Sequence, residues 1–149
     1  MLKAHHKLKL MNFYPPFIGA GIRVTYMAKD FREVRVQMKL TFWNKNYVNT
    51  HYGGSLYSMC DPFFMLMLMQ ILGRDYIVWD KAASIKFKKP GRGLVRAVFK
   101  ITEENIQNIH QALEHGDKVE PVFHVDVINE NDEVICSVEK VIYIKKKKK

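Results

Sequence analysis

Ten consecutive residues at positions 63–72, FFMLMLMQIL, contain a single polar side chain, Gln70. A helix without a polar stripe has to be enclosed by the rest of the protein instead of lying on its surface. What encloses it can be read from the other segments, which alternate apolar and polar residues with a period of two. Val34, Val36, Met38, Leu40 and Phe42 face one way and Arg35, Gln37, Lys39 and Thr41 the other. Ile22, Val24 and Tyr26 precede them, with Lys29 and Asp30 able to make the turn of a hairpin. Ala83, Ile85 and Phe87 repeat the pattern, then Val95, Ala97, Phe99 and Ile101, joined by the turn chemistry of KPGRG at 89–93. Phe123, Val125 and Val127 are followed, after NENDE at 129–133, by a last strand over 134–144.

Strands with one wet face, paired as hairpins, cannot flank the helix as parallel α/β layers. A curled antiparallel sheet wrapped around a long central apolar helix satisfies both patterns, which makes the class α+β. One short surface helix is expected at TEENIQNIHQALEHG. Thr102 can cap it, Glu103 and Glu104 sit in its first turn, Ile106, Ile109 and Leu113 share a face, and Gly116 can end it. The chain of 149 residues suits a single domain over 1–144, with residues 1–18 as a lead-in and a lysine tail at 145–149.

The formal charge of +9 comes largely from that tail. Setting aside its five lysines leaves 19 basic residues against 15 acidic ones, an ordinary balance for a soluble domain. No nucleic-acid partner is expected on this basis. Ser58, Asp61, Pro62 and Gln70 interrupt the one stretch of near-membrane length, which argues against a span. Cys60 and Cys136 lie in apolar surroundings without metal-ligand spacing, the pattern of buried thiols in a cytoplasmic protein. His5, His6, His110, His115 and His124 show no metal spacing either, so no metal site is expected.

The sequence NYVNTHYGGSLYSMCD at 46–61 is similar to that of the small acyl-CoA thioesterases acting on phenylacetyl-CoA and related thioesters. Their pattern is Asn, two residues, Gly, two residues, His-Gly-Gly, then an acid seven positions after the second Gly. Asn46, Gly53, Gly54 and Asp61 fall in place, while Asn49 stands where the pattern has Gly and Tyr52 where it has His. PPFIGAGIRV, GGSLYSMCDPFFMLM and GRDYIVWDKAASIKF resemble more closely a thioesterase-like hotdog family catalogued as a domain of unknown function, over roughly residues 12–144. The resemblance implies the hotdog fold and hydrolysis of a thioester carried on coenzyme A or an acyl carrier protein, with no cofactor beyond the coenzyme A of the substrate. A non-catalytic module that binds acyl-CoA or another apolar ligand is the alternative.

Thioester hydrolysis needs a polarised carbonyl and an activated water or nucleophile. Gly53 and Gly54, opening a helix, offer free amides at its positive end as oxyanion donors. Asp61 is the candidate general base or nucleophile, and the family resemblance assigns Asn46 to positioning water or carbonyl. Asp61 before Pro62 also fits an N-cap followed by a first-turn proline. Asp61 lies eight residues after Gly53, about 12 Å along a continuous helix, so one chain's glycines and acid cannot serve the same carbonyl. A homodimer with two composite sites, alone or paired into a homotetramer, removes the difficulty and matches the form that the resemblance implies. Asp80, Tyr52 and His51 are candidates for a second polar site; for Asp80 the alternative is a local ion pair with Lys81. Lys86, Lys88, Lys89 and Arg92 can hold the phosphates of coenzyme A or form a solvated face.

Overall fold

The computed structural model describes residues 10–147. His5 and His6 in the lead-in, and Lys148 and Lys149 in the tail, lie outside the described residues.

Short helix α1 (Pro15–Ala20) leads into β1 (Ile22–Met27) and β2 (Glu33–Lys39). Helices α2 (Gly53–Ser58) and α3 (Phe63–Leu72) follow, then β3 (Tyr76–Phe87) and β4 (Leu94–Lys100). Helix α4 (Glu103–His115) precedes β5 (Lys118–Val119), β6 (Val122–Asn129) and β7 (Val134–Lys146). The strands form one antiparallel sheet in the order β1-β2-β4-β6-β7-β3, with β5 also paired to β7.

The hairpin turns use the expected residues. Asp30 Oδ1 accepts the Arg32 amide between β1 and β2, and Asn129 Oδ1 accepts those of Asn131 and Glu133 between β6 and β7. Thr102 caps α4 through a reciprocal pair with Asn105, and Ile106 and Ile109 are its buried face.

Helix α3 buries Phe63, Phe64, Met67 and Leu68, each worth about 1.5–3 kcal/mol when fully removed from water. Phe63 and Phe64 pack on Phe99 of β4 at ring-centroid distances of 4.8 and 5.3 Å, and Phe64 also stacks on Phe123 of β6 at 4.8 Å. The sheet therefore grips the helix from two strands at once. Enclosure is not complete, because Met69 and Gln70 are exposed and Met65 and Leu66 are half-buried. Gly73 ends the helix at a φ of 81°, a conformation that a side chain at that position would resist.

Four differences from the sequence reading matter for the site. The central helix is broken over residues 59–62, where Pro62 supplies no amide, so α2 and α3 are separate segments. Strand β2 stops at Lys39, and Phe42 is 75 % exposed in the following turn instead of facing the core. Strand β3 begins at Tyr76, well before Ala83, and carries a bulge between Asp80 and Ala82. Finally, β7 continues through Lys145 and Lys146, which pair with Ile77 and Tyr76, so the tail does not leave the sheet at Lys145.

Candidate active site

The loop before α2 is built by two asparagines. Asn44, buried, accepts the Thr41 amide at 2.7 Å and donates to the carbonyls of Ala20 and Lys39 at 2.9 and 2.8 Å. Its carbonyl receives the Tyr52 amide, which sets the entry to the helix. Asn46 Oδ1 accepts the amides of Val48 and Thr50, and its Nδ2 donates to Thr50 Oγ1 at 2.9 Å. Asn46 thus spends its side chain on folding its own loop. Asn49 has φ 58°, the left-handed region that asparagine tolerates better than most residues, so it substitutes for the glycine of the resembling pattern on backbone grounds.

His51 is also a strut. It is buried, its amide donates to Gly91 O at 2.9 Å, and its Nε2 lies 3.0 Å from Gly93 O. A carbonyl partner requires the proton on Nε2, which leaves Nδ1 buried and without a hydrogen bond. Burial holds this histidine below its ordinary pKa against the opposing pull of the Gly93 carbonyl. The ring is therefore neutral, with its Nε2–H committed to the turn.

Gly53 and Gly54 open α2, while the next two amides, Ser55 and Leu56, bond to the Tyr52 carbonyl. The first two amides of the helix have no acceptor in the preceding turn. The space left by the missing side chains is filled by rings. A Cβ on Gly53 would sit 3.0 Å from the Phe87 ring, and one on Gly54 would sit 2.4 Å from that of Tyr52. Tyr52 is 59 % exposed and Phe87 58 %, so both rings are free to move on their solvent side.

A groove of about 630 Å³ runs past Gly53, lined by Asn46, His51, Lys88, Lys89 and Arg92 among others, and does not include Gly54. Lys89 is paired with Glu133 at 2.5 Å, whereas Lys88 and Arg92 have no ion-pair partner among the described residues. Lys86, exposed on β3, does not line the groove. Neither does Asp61.

Asp61 lies in the break between α2 and α3, in a cluster of its own. Its Oδ1 accepts from Tyr57 Oη at 2.7 Å and from Lys140 Nζ at 2.9 Å. Lys140 also lies 3.2 Å from Tyr57 Oη and 2.9 Å from Asp80 Oδ1, the latter at ion-pair distance but outside hydrogen-bond geometry. The lysine side chain is 1 % exposed, while those of Asp61 and Asp80 are 49 % and 25 % exposed. Asp61 makes no cap, since α3 begins without a side-chain cap bond. The expected local pair of Asp80 with Lys81 is absent too, Lys81 pairing instead with Glu120 at 2.7 Å.

The two carboxylates are driven apart. Partial burial would raise Asp61, but bonds from Lys140 and Tyr57 and the lysine charge hold it below the ordinary carboxylate value. Asp80 stays above that value, because its burial outweighs Lys140 and the Asp61 charge adds to the rise. Unequal burial around one shared ammonium thus separates two otherwise similar acids. Lys140, flanked by both, is pushed above the lysine range and is an ammonium at neutral pH; burial opposes this but loses to Asp61, Asp80 and Tyr57.

Lys140 and Tyr57 were missed from sequence, and both had signals. Cys136, Val138, Ile142 and Ile144 of β7 are the helix-facing row, and Lys140 falls on that row. Tyr57 stands four residues before Asp61, one helical turn away. Among the described residues no group of three or more His, Cys, Asp or Glu side chains forms a metal site. Cys60 and Cys136 are buried free thiols.

The fold is found in solved structures of low sequence identity. A Pseudomonas aeruginosa protein of unknown function, described as a probable thioesterase, superposes with TM-score 0.83 at 18% identity, covering 98% of this chain and 97% of that one. A Chlorobaculum tepidum protein of unknown function gives 0.76 at 18% identity over 98% of each chain. A Haemophilus influenzae thioesterase gives 0.72 at 13% identity over 98% of this chain and 92% of that one. They share with this chain the hotdog architecture of a curled sheet around a helix. No curated protein matches the sequence. A match over residues 3–144, nearly the whole chain, shows that it belongs to the family described as domain of unknown function DUF4442.

Proposed function

We propose that the protein is an acyl-CoA thioesterase whose site is shared between two subunits. Asp61 acts as general base or nucleophile, and the amides of Gly53 and Gly54 receive the developing oxyanion. The observation that carries this reading is the state of Asp61. Its Oδ1 is fixed by Lys140 and Tyr57, its charge is retained at neutral pH, and about half of its side chain reaches solvent. A carboxylate that merely packed would be neither held by one oxygen nor open on its other side.

The composite site draws support from the separation of the parts, since the groove beside Gly53 does not include Asp61. It draws further support from β3. This strand ends the sheet, its outer edge pairs with no other strand among the described residues, and from Lys81 to Phe87 only Ile85 is partly covered. An open edge of this length is a template for a second copy. Lys88 and Arg92, in the groove, suit the phosphates of coenzyme A. Hydrolysis as proposed uses water and no cofactor of its own.

The test is Asp61→Ala measured on aryl, short, medium and long acyl-CoA substrates. Activity should fall by about 10²-fold or more with the fold retained, and equal activities in both proteins would reject the assignment. Sedimentation showing an active, folded monomer would reject the shared site. A second reading, an acyl-CoA binding module without turnover, is favoured by the rings of Tyr52 and Phe87 over the two glycines. Tight acyl-CoA binding with no hydrolysis by the wild type would establish it instead.

A further inference from the structure

We propose that Lys140 is the positioning residue of the acid site, bridging Asp61 and Asp80 from beneath so that Asp61 Oδ1 is locked and Oδ2 is left to face the thioester. The inference rests on the thioesterase reading above. A structural role alone explains Lys140 poorly. The position lies between Val138 and Ile142 in an otherwise apolar row, where an apolar side chain would pack at no desolvation cost. Instead an ammonium is sealed there, and each of its three polar neighbours belongs to the acid cluster: Asp61 Oδ1, Tyr57 Oη and Asp80 Oδ1. Two of its donor directions are taken by Asp61 Oδ1 and Tyr57 Oη, Asp80 stands at ion-pair distance, and a side chain only 1 % exposed is closed to a substrate. Lys140 therefore acts through Asp61, without touching the reacting atoms, and its paired state leaves no free amine to act as a nucleophile.

The bulge in β3 completes the arrangement. Beyond it Ala83 faces Lys140 across the strands, while before it Asp80 pairs with Ile142, so the bulge, by leaving Lys81 out of the pairing, keeps Asp80 on the lysine's side of the sheet. Other groups around the ammonium are few. Cys60 in the break between the helices, with Cys136 of β7 behind it, is buried, and burial pushes its thiol up, so it stays neutral. Phe123, the β6 partner of Lys140, carries no charge, and Glu139 pairs with His124 on the exposed face. The acid limb of activity should thus report the Asp61–Lys140–Asp80 group and no other.

The experiment measures kcat and KM against pH for wild type, Lys140→Met and Lys140→Arg on an acyl-CoA that the wild type hydrolyses. Alongside, carbon-detected NMR titrates the Asp61 and Asp80 carboxyls without substrate. With Lys140→Met, kcat should fall about 10²-fold, the scale of a misplaced reacting group, with little change in KM. Its acid limb and the Asp61 midpoint should both rise by about one to two pH units. Lys140→Arg should keep the Asp61 midpoint low and lose about tenfold in kcat, because a planar fork does not reproduce a point donor. A folded Lys140→Met with wild-type kcat and acid limb, or one whose Asp61 midpoint is unmoved, overturns the proposal. If Lys140→Met does not fold, an unchanged kcat in Lys140→Arg overturns it. If the wild type hydrolyses no thioester, the thioesterase reading fails, and the NMR midpoints alone decide whether Lys140 holds Asp61.

Discussion

Replacing Lys140 by methionine should destabilise the protein by about 3 kcal/mol at pH 7 and by less at pH 5. Asp61 and Asp80 each stand 2.9 Å from the same Nζ. Their oxygens are then at most about 6 Å apart, and two unit charges at that separation repel by about 3 kcal/mol at an effective dielectric of 20. In the wild type the ammonium more than offsets this repulsion. In Lys140→Met nothing does, and breaking a buried pair by removing one partner costs about 3–5 kcal/mol. The lower end applies because Asp61 and Asp80 are 49 % and 25 % exposed and can recover part of their hydration. The sign with pH follows from the carboxyls. Without the lysine their folded-state pKa values rise above the unfolded value, so the folded mutant takes up a proton first and gains stability as pH falls toward about 4. Wild-type Asp61, held low, contributes stability that is present above the unfolded value and is lost only as pH falls through its own depressed one. The gap between the two proteins therefore narrows on acidification. Urea unfolding at pH 7 and pH 5 measures it as a change in midpoint at constant slope. Adding Asp80→Asn to Lys140→Met should restore about half of the loss at pH 7, since one carboxylate alone has no neighbour to repel it. A destabilisation under about 1 kcal/mol, or one that is equal at both pH values, would refute the reasoning.

Other outcomes can be stated more briefly. Asn44→Ala leaves the Thr41 amide and the Ala20 and Lys39 carbonyls without their partner, and should cost about 2–4 kcal/mol in chemical denaturation. Asn49→Val forces a β-branched residue to φ 58° and should cost about 1–3 kcal/mol, whereas Asn49→Gly should lie within about 0.5 kcal/mol of wild type. Thermal melts of that pair, equal to each other, would show that the left-handed backbone is not what keeps asparagine there. Lys88→Ala with Arg92→Ala should raise KM for acyl-CoA about tenfold at low salt, leave kcat nearly unchanged, and lose its effect as ionic strength rises.

Periodicity made the sheet, its hairpins and the buried helix legible, because each rests on a local repeat that burial enforces. The cap at Thr102 and the turns at Asp30 and over 129–133 followed from side-chain chemistry within a few residues, while the reciprocal bond from Asn105 was not foreseen. Phe42 was misread because alternation persisted past the last hydrogen-bonded pair of β2, and nothing in the alternation marks where pairing stops. Asp80 was harder still. The phase of Ala83, Ile85 and Phe87, extended backward, turns Asp80 away from the core, and only the bulge reverses it. Of the site, the placing of Asp61 directly before a helix-disrupting Pro62 was readable. Tyr57 is local to Asp61, but Lys140 comes from β7 and its second acid, Asp80, from β3, and pairings that distant in sequence leave little local trace. Lys140 alone left one, as a charge on an apolar row.

The bulge at Lys81 also bears on how such a chain can change over generations. A strand normally has one phase from end to end, and a lost codon turns half of it inside out. Strand β3 instead joins two segments of opposite phase at a residue that stands outside the pairing. Loss of the codon for Lys81 would leave Asp80 opposite Ile142 and Ala82 opposite Val141, removing the kink while sparing the carboxylate. Loss of one residue is therefore tolerable at the bulge, whereas the same loss farther along the strand would invert one of its segments.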